Sequence, residues 1–195
     1  MTKTGGGKLA VFFPGIGYTA DMPLLHYSRR LAAGLGYEIR LLNYGGFPQG
    51  VRGDREKMAA CYRLALTQAE EMLSDVDLTV WEDILFVGKS VGTIVAARLA
   101  SKSPARDRIR LVLYTPMEDT FRFPFGTAAA FTGSADPWVG GEKSRITTLC
   151  GEREIPCLVI PGANHSLETG DPMLDIDNLK TVMDRTGRFM RGETP

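Results

Sequence analysis

The chain has 195 residues, 44% of them hydrophobic and 24% charged, with 23 basic residues against 23 acidic ones. That length suits one compact domain over residues 1–195, in which folding hides roughly 70% of the surface of the unfolded chain. Zero net charge supplies no general field for nucleic acid or an anionic membrane, and every apolar run falls short of the roughly 18 residues a membrane span needs.

Residues 1–7 hold three successive glycines and read as a flexible tail, and the stretch Met1–Lys8 lacks the apolar centre of a signal peptide. Leu9–Phe13 is a continuous apolar run stopped by Pro14-Gly15, the pattern of a buried strand. Met22–Leu35 follows as a helix with Asp21 as its candidate cap, then Tyr37–Asn43 as a second strand and Tyr44–Gly53 as a glycine-rich loop. Asp54–Ser74 is amphipathic: Met58, Cys61, Ala65, Ala69 and Met72 recur at spacings of three and four. Ile84–Val87 is a third strand, Val91–Lys102 an alanine-rich helix suited to close packing on a sheet, and Ile109–Tyr114 a fourth strand.

Thr127–Thr132 reads as the fifth strand, Gly141–Cys150 as a helix and Cys157–Ile160 as the sixth strand. A last helix starts at Asp171-Pro172, a cap followed by a residue whose missing N–H costs nothing there. It runs to about Arg185, with Gly187 available to end it. Six apolar strands joined by helical crossovers predict an α/β fold: a three-layer α/β/α arrangement around a mainly parallel six-stranded sheet, with no second domain. Reactive groups in such sheets gather beyond the carboxyl ends of the strands.

Each feature with chemical meaning follows a strand end. Gly88-Lys89-Ser90-Val91-Gly92 has the G-x-S-x-G spacing between a strand and a helix. A strained turn there lifts the Ser90 hydroxyl toward solvent at the positive end of a helix, and only small residues fit two positions to either side. A serine hydroxyl needs a base, and the chain has two histidines. His165, in the loop after the sixth strand, is the candidate; His26 falls within a helix. Asp136, in Gly133-Ser134-Ala135-Asp136-Pro137, is the candidate acceptor for the far imidazole nitrogen. Glu118, Asp119, Asp171 and Asp175 are its substitutes. The order Ser90, Asp136, His165 is nucleophile, acid, base. An oxyanion needs backbone N–H donors. Val91 supplies one, and the loop Pro14–Tyr18 a second, from Ile16 first or Gly17 next.

Taken together, Pro14-Gly15-Ile16-Gly17, Gly88-Lys89-Ser90-Val91-Gly92, Gly133-Ser134-Ala135-Asp136 and Gly162-Ala163-Asn164-His165 resemble the α/β-hydrolase fold family, over nearly the whole chain. The resemblance implies a minimal core without a cap domain, a Ser–Asp–His triad, an acyl-enzyme and no cofactor or metal. The chain is similar to small hydrolases related to dienelactone hydrolase and to short acyl esterases, although the former use cysteine where Ser90 stands. It departs from the family in lacking the first two strands of the full fold and in reading Pro-Gly where many members have His-Gly. The expected activity is hydrolysis of small carboxylic esters or thioesters; a ligand- or partner-binding relative with a silent triad is the alternative. A dinucleotide-binding loop is disfavoured, because Pro14-Gly15-Ile16-Gly17 has no third glycine at the needed spacing.

Without a cap, loops must build the substrate pocket. Tyr18, Met117, Phe121, Phe123 and Trp138 are its candidate lining, with Tyr44 and Phe125 nearby, and they suit an apolar acyl chain. Lys89 either pairs with an acidic neighbour beneath the turn or places charge near an anionic substrate. Three widely spaced cysteines with no metal-ligand pattern read as buried free thiols. They fit a reducing, cytoplasmic location, with a small-molecule acyl substrate as the partner and no nucleic acid.

Overall fold

A computed structural model describes residues 6–139 and 144–195. Its centre is one six-stranded sheet: β1 (Gly7–Phe13), β2 (Tyr37–Leu41), β3 (Trp81–Lys89), β4 (Ile109–Tyr114), β5 (Ala128–Gly133) and β6 (Cys157–Ile160). The spatial order is β2-β1-β3-β4-β5-β6 and every neighbouring pair is parallel. Parallel strands are buried on both faces, which is why the central ones read as unbroken apolar runs. Val11 pairs with Phe86, and Phe86 in turn with Leu111.

Among the described residues five α-helices cover the sheet: α1 (Pro23–Gly34), α2 (Arg55–Met72), α3 (Val91–Lys102), α4 (Ile146–Gly151) and α5 (Pro172–Met190). Strand alternation sends Leu9, Val11, Ile84, Phe86 and Leu111 to the layer of α2 and α3. Ala10, Phe12, Leu85, Val87 and Tyr114 go to the layer of α1 and α5. The alanines of α3 let it lie close on the sheet, with Val91 to Ala97 all buried. Among the described residues no helix is long and apolar enough to cross a membrane.

Several boundaries differ from the sequence expectation. β1 begins at Gly7, inside the expected tail, where it pairs with Trp81 and where a Cβ would meet the Trp81 ring at 2.8 Å; residues 1–5 lie outside the described residues. Asp21 does not cap α1. Met22 occupies the cap without a side-chain bond, and Asp21 instead faces Arg29 at 3.6 Å. The expected helix from Gly141 is observed only as α4 from Ile146, with residues 140–143 outside the described set. Gly187 does not end α5. It lies inside the helix against Leu31 of α1, and Gly192, at φ +81°, follows the true end. All three cysteines are free thiols, but Cys157 is only half-buried and lies beside Cys150, whose thiol that contact pushes up.

Candidate active site

β3 ends at Lys89 and α3 begins at Val91, so Ser90 carries the whole change of direction. It does so at φ 56° and ψ −123°, a backbone state that costs a non-glycine residue about 1–3 kcal/mol. Its N–H donates to the Tyr114 carbonyl at 3.0 Å, and its carbonyl accepts from the Thr93 amide and hydroxyl at 2.9 and 2.6 Å. The flanking glycines are sterically required. A Cβ on Gly92 would stand 2.1 Å from the Phe13 carbonyl oxygen, and one on Gly88 2.8 Å from the Thr93 Cα. Gly15, in the loop after β1, packs directly on the turn; a Cβ there would lie 3.2 Å from both the Lys89 oxygen and the Ser90 Cβ.

The turns after β5 and β6 are joined in the same way. A Cβ on Gly133 would fall 2.1 Å from the Ala163 carbonyl oxygen. That contact lets the Ala135 amide donate to Ala163 at 3.0 Å, and the Ser134 hydroxyl accepts from Gly162 at 2.8 Å. The loop after β6 is closed by Asn164, whose side-chain oxygen accepts from the amides of Ser166 at 2.7 Å and Glu168 at 3.2 Å. Asp136 and His165 are thereby brought side by side.

Three side chains from three strand ends form a line. The His165 Nε2 lies 2.8 Å from the Ser90 Oγ, and its Nδ1 lies 2.6 Å from the Asp136 Oδ2. Asp136 is fully buried, and its other oxygen accepts from the Trp138 amide at 2.9 Å. The Trp138 ring stands 5.5 Å from the imidazole at a 30° tilt. Burial holds the His165 imidazole below its ordinary pKa; its bond to Asp136 opposes this, and the charge of Lys89 adds to it. That direction favours a neutral imidazole at neutral pH, with Asp136 positioned to bond the Nδ1 proton.

Three of the four other expected acids are occupied elsewhere. Asp171 caps α5, Asp175 accepts from the Thr169 amide and hydroxyl, and Asp119 pairs with Arg122 at 3.0 Å. His26 lies on α1 beside Arg29 and Tyr27. In the loop after β1, Gly15 donates to the Tyr18 carbonyl at 3.0 Å, while the amides of Ile16, Gly17 and Val91 donate to no other backbone carbonyl among the described residues.

The aromatic lining is arranged differently from expectation. Tyr18 is buried in the α1 layer, and its hydroxyl accepts from the Leu24 amide at 3.0 Å, so it anchors a loop rather than walling a pocket. Phe121 is also buried, because the short turn Glu118–Arg122 folds down on α3 through the Thr120 and Thr93 hydroxyls, 2.7 Å apart. Arg153 spans Phe121 and Phe125 and donates to the carbonyls of Phe121 and Phe123. Phe123 is half-buried beneath Arg98. Met117 is half-buried at the start of this segment. Lys89 is buried, with its Nζ 4.9 Å from the centre of the Tyr18 ring.

Sequence reasoning placed Thr115 in the pocket wall but missed its backbone state: it follows β4 at φ 41° with a buried hydroxyl that has no partner. It also missed the Asn164 brace, whose signal was an asparagine able to accept from the backbone two residues on. Behind the His165 loop, Pro23, Leu24, Leu167, Ile176, Leu179 and Val182 line a largely apolar groove of about 320 Å³. Among the described residues, no group of three His, Cys, Asp or Glu side chains is placed to hold a metal ion.

No family model matches the chain, and no curated protein matches it in sequence. Solved structures do match in shape. Est1E of Butyrivibrio proteoclasticus, solved with ferulic acid bound, superposes with a TM-score of 0.67 at 13% identity, over 97% of this chain and 90% of that one. A Pyrococcus furiosus esterase gives 0.64 at 15% identity, over 97% and 84%. A lidless α/β serine hydrolase of Xanthomonas campestris gives 0.58 at 15% identity, over 100% and 88%. The chain has the α/β-hydrolase fold, and among the described residues no cap domain interrupts it.

Proposed function

We propose that this α/β-hydrolase-fold protein is a serine hydrolase that cleaves small carboxylic esters. The observation that carries the proposal is the unbroken line from Asp136 through His165 to Ser90, with separations of 2.6 and 2.8 Å. In the proposed reaction the Ser90 Oγ attacks the ester carbonyl carbon while His165 Nε2 takes the hydroxyl proton. The carbonyl electron pair moves onto oxygen, where the N–H groups of Val91 and of Ile16 or Gly17 receive it. Collapse breaks the bond to the leaving alkoxide, and His165 returns its proton to it. Water, deprotonated by the same imidazole, then attacks the acyl-enzyme, and the acid leaves as Ser90 regains its proton. Asp136 holds the imidazole in orientation and stabilises its cationic form. Thioesters use the same steps with a thiol leaving group.

Met117, Phe123 and Trp138 remain the side chains proposed to meet the acyl group. With no cap over the site, short and medium acyl groups are the favoured substrates; ester cleavage itself is in line with the esterases among the structural neighbours. A silent binding relative would have no need for a histidine held at bonding distance from Ser90 with its other nitrogen on a buried carboxylate.

The test is labelling by a fluorophosphonate followed by turnover of nitrophenyl esters of increasing acyl length. The expected result is covalent label on Ser90, lost in Ser90→Ala and kept in Ser134→Ala, with turnover falling as the acyl chain lengthens. An unlabelled wild-type protein would overturn the hydrolase proposal. Preference for long chains would overturn the substrate class alone.

A further inference from the structure

Lys89 sits one residue before Ser90, and strand alternation turns its side chain with Leu85 and Val87 toward the layer of α1 and α5. It is 1% exposed. Among the described residues, Lys89 and Asp136 are the only buried side chains that carry formal charge. Buried charges are costly unless compensated, and Asp136 is bonded to a histidine that is neutral at rest. The Lys89 Nζ stands 4.9 Å from the centre of the Tyr18 ring. That ring belongs to the loop proposed to hold the oxyanion, and Tyr18 is fixed in turn by its contacts to Gly15 and Leu24. The charges that act on Lys89 are those of Asp136, after β5, and Glu168, after β6; its own charge acts on His165. One ammonium therefore touches or influences all three loops around Ser90.

An isolated buried carboxylate beside an imidazole draws a proton onto that imidazole, and a protonated His165 cannot take the Ser90 proton. A cation in the same low-dielectric pocket offsets this. Building on the serine-hydrolase proposal, we propose that Lys89 is a positioning residue: its buried ammonium seats the Tyr18 ring of the oxyanion loop and balances Asp136, so that resting His165 stays a neutral base. Burial brings the Lys89 pKa down to about 7, while Asp136 and Glu168 pull it upward, so the ammonium is lost close to neutrality.

The test is a pH profile of kcat/KM for short nitrophenyl esters, paired with NMR titration of the His165 imidazole. Wild type should show an acid limb below the ordinary histidine value and an alkaline limb near pH 7. Lys89→Met should lower kcat roughly 3- to 30-fold, the range a buried cation–π contact supports, with KM nearly unchanged. It should also erase the alkaline limb and move the acid limb and the His165 titration upward. Lys89→Arg carries a cation that does not titrate in this range, so it should restore most of kcat while still lacking the alkaline limb. Limbs and imidazole titration unmoved in Lys89→Met would overturn the proposal, since a purely structural lysine would scale the profile without shifting it. If Lys89→Met does not fold, Lys89→Arg decides alone, and retention of the wild-type alkaline limb is the overturning result. The imidazole titration needs no turnover, so it reads the Lys89–His165 coupling even if fluorophosphonate labelling of the wild type fails and removes the hydrolase proposal.

Discussion

The turn Gly88–Gly92 and the segment Thr115–Phe125 both leave the carboxyl end of a strand, yet they are held by different means. The first is fixed by backbone against backbone: glycines pressed on the carbonyls of Phe13 and on Thr93, around a serine at positive φ. The second is fixed by side chains that sink into the protein, with Phe121 buried in the α3 layer and Thr120 bonded to Thr93. Rigidity of the first kind depends on a few small residues, and a single added methyl group cannot be absorbed. Rigidity of the second kind is spread over packing, and substitutions degrade it by degrees.

The sharpest way to break this contrast is chemical. Asp136→Asn keeps the shape of the site but permits the wrong imidazole tautomer, and kcat should fall by roughly 10⁴-fold in ester hydrolysis with little change in melting temperature. Gly92→Ala should do the reverse. With a Cβ 2.1 Å from the Phe13 oxygen, it should cost more than about 4 kcal/mol, read by urea denaturation or as loss of soluble protein. Phe121→Ala should cost about 3–5 kcal/mol in the same assay while KM for short esters stays close to wild type, because the ring lies in the core and not on the substrate. Full loss of short-ester binding in that variant would restore Phe121 to the pocket wall. The smallest effect is a gain: Ser90→Gly should raise stability by about 1 kcal/mol while abolishing turnover, since glycine accepts the φ of 56° without strain.

The same contrast explains what was legible in the sequence. Ile109–Tyr114, Cys157–Ile160 and Val91–Lys102 were read to the residue, because apolar runs bounded by turn formers and an alanine-rich helix are local signals. Gly88-Lys89-Ser90-Val91-Gly92 was legible for a related reason, since a tight turn demands particular residues at particular positions, and the convergence of Asp136 and His165 on Ser90 followed from their places after strand ends. Tyr18 and Phe121 were misjudged because an aromatic side chain carries no sign of whether it faces a pocket or the core. Asp21 lost the cap of α1 to Met22, whose extended backbone before Pro23 already sets the helix entry. Gly187 was read as a stop when its smallness serves the approach of Leu31. The Phe121 and Gly187 outcomes were decided by neighbours far away in sequence, Thr93 and Arg153 for the first and Leu31 for the second.

The sheet order carries a kinetic consequence. β1 lies between β2 and β3, so Leu9 must meet both Glu38 and Ile84, and the loop after β1 can press on the Ser90 turn only once that distant strand has paired with it. Parallel pairings of this kind close long loops before any contact rewards them, so such topologies fold slowly. A half-folded chain can hold β3, α3 and β4 yet have no floor beneath the serine. Recovery of ester cleavage after dilution from denaturant should therefore trail the recovery of helical circular dichroism.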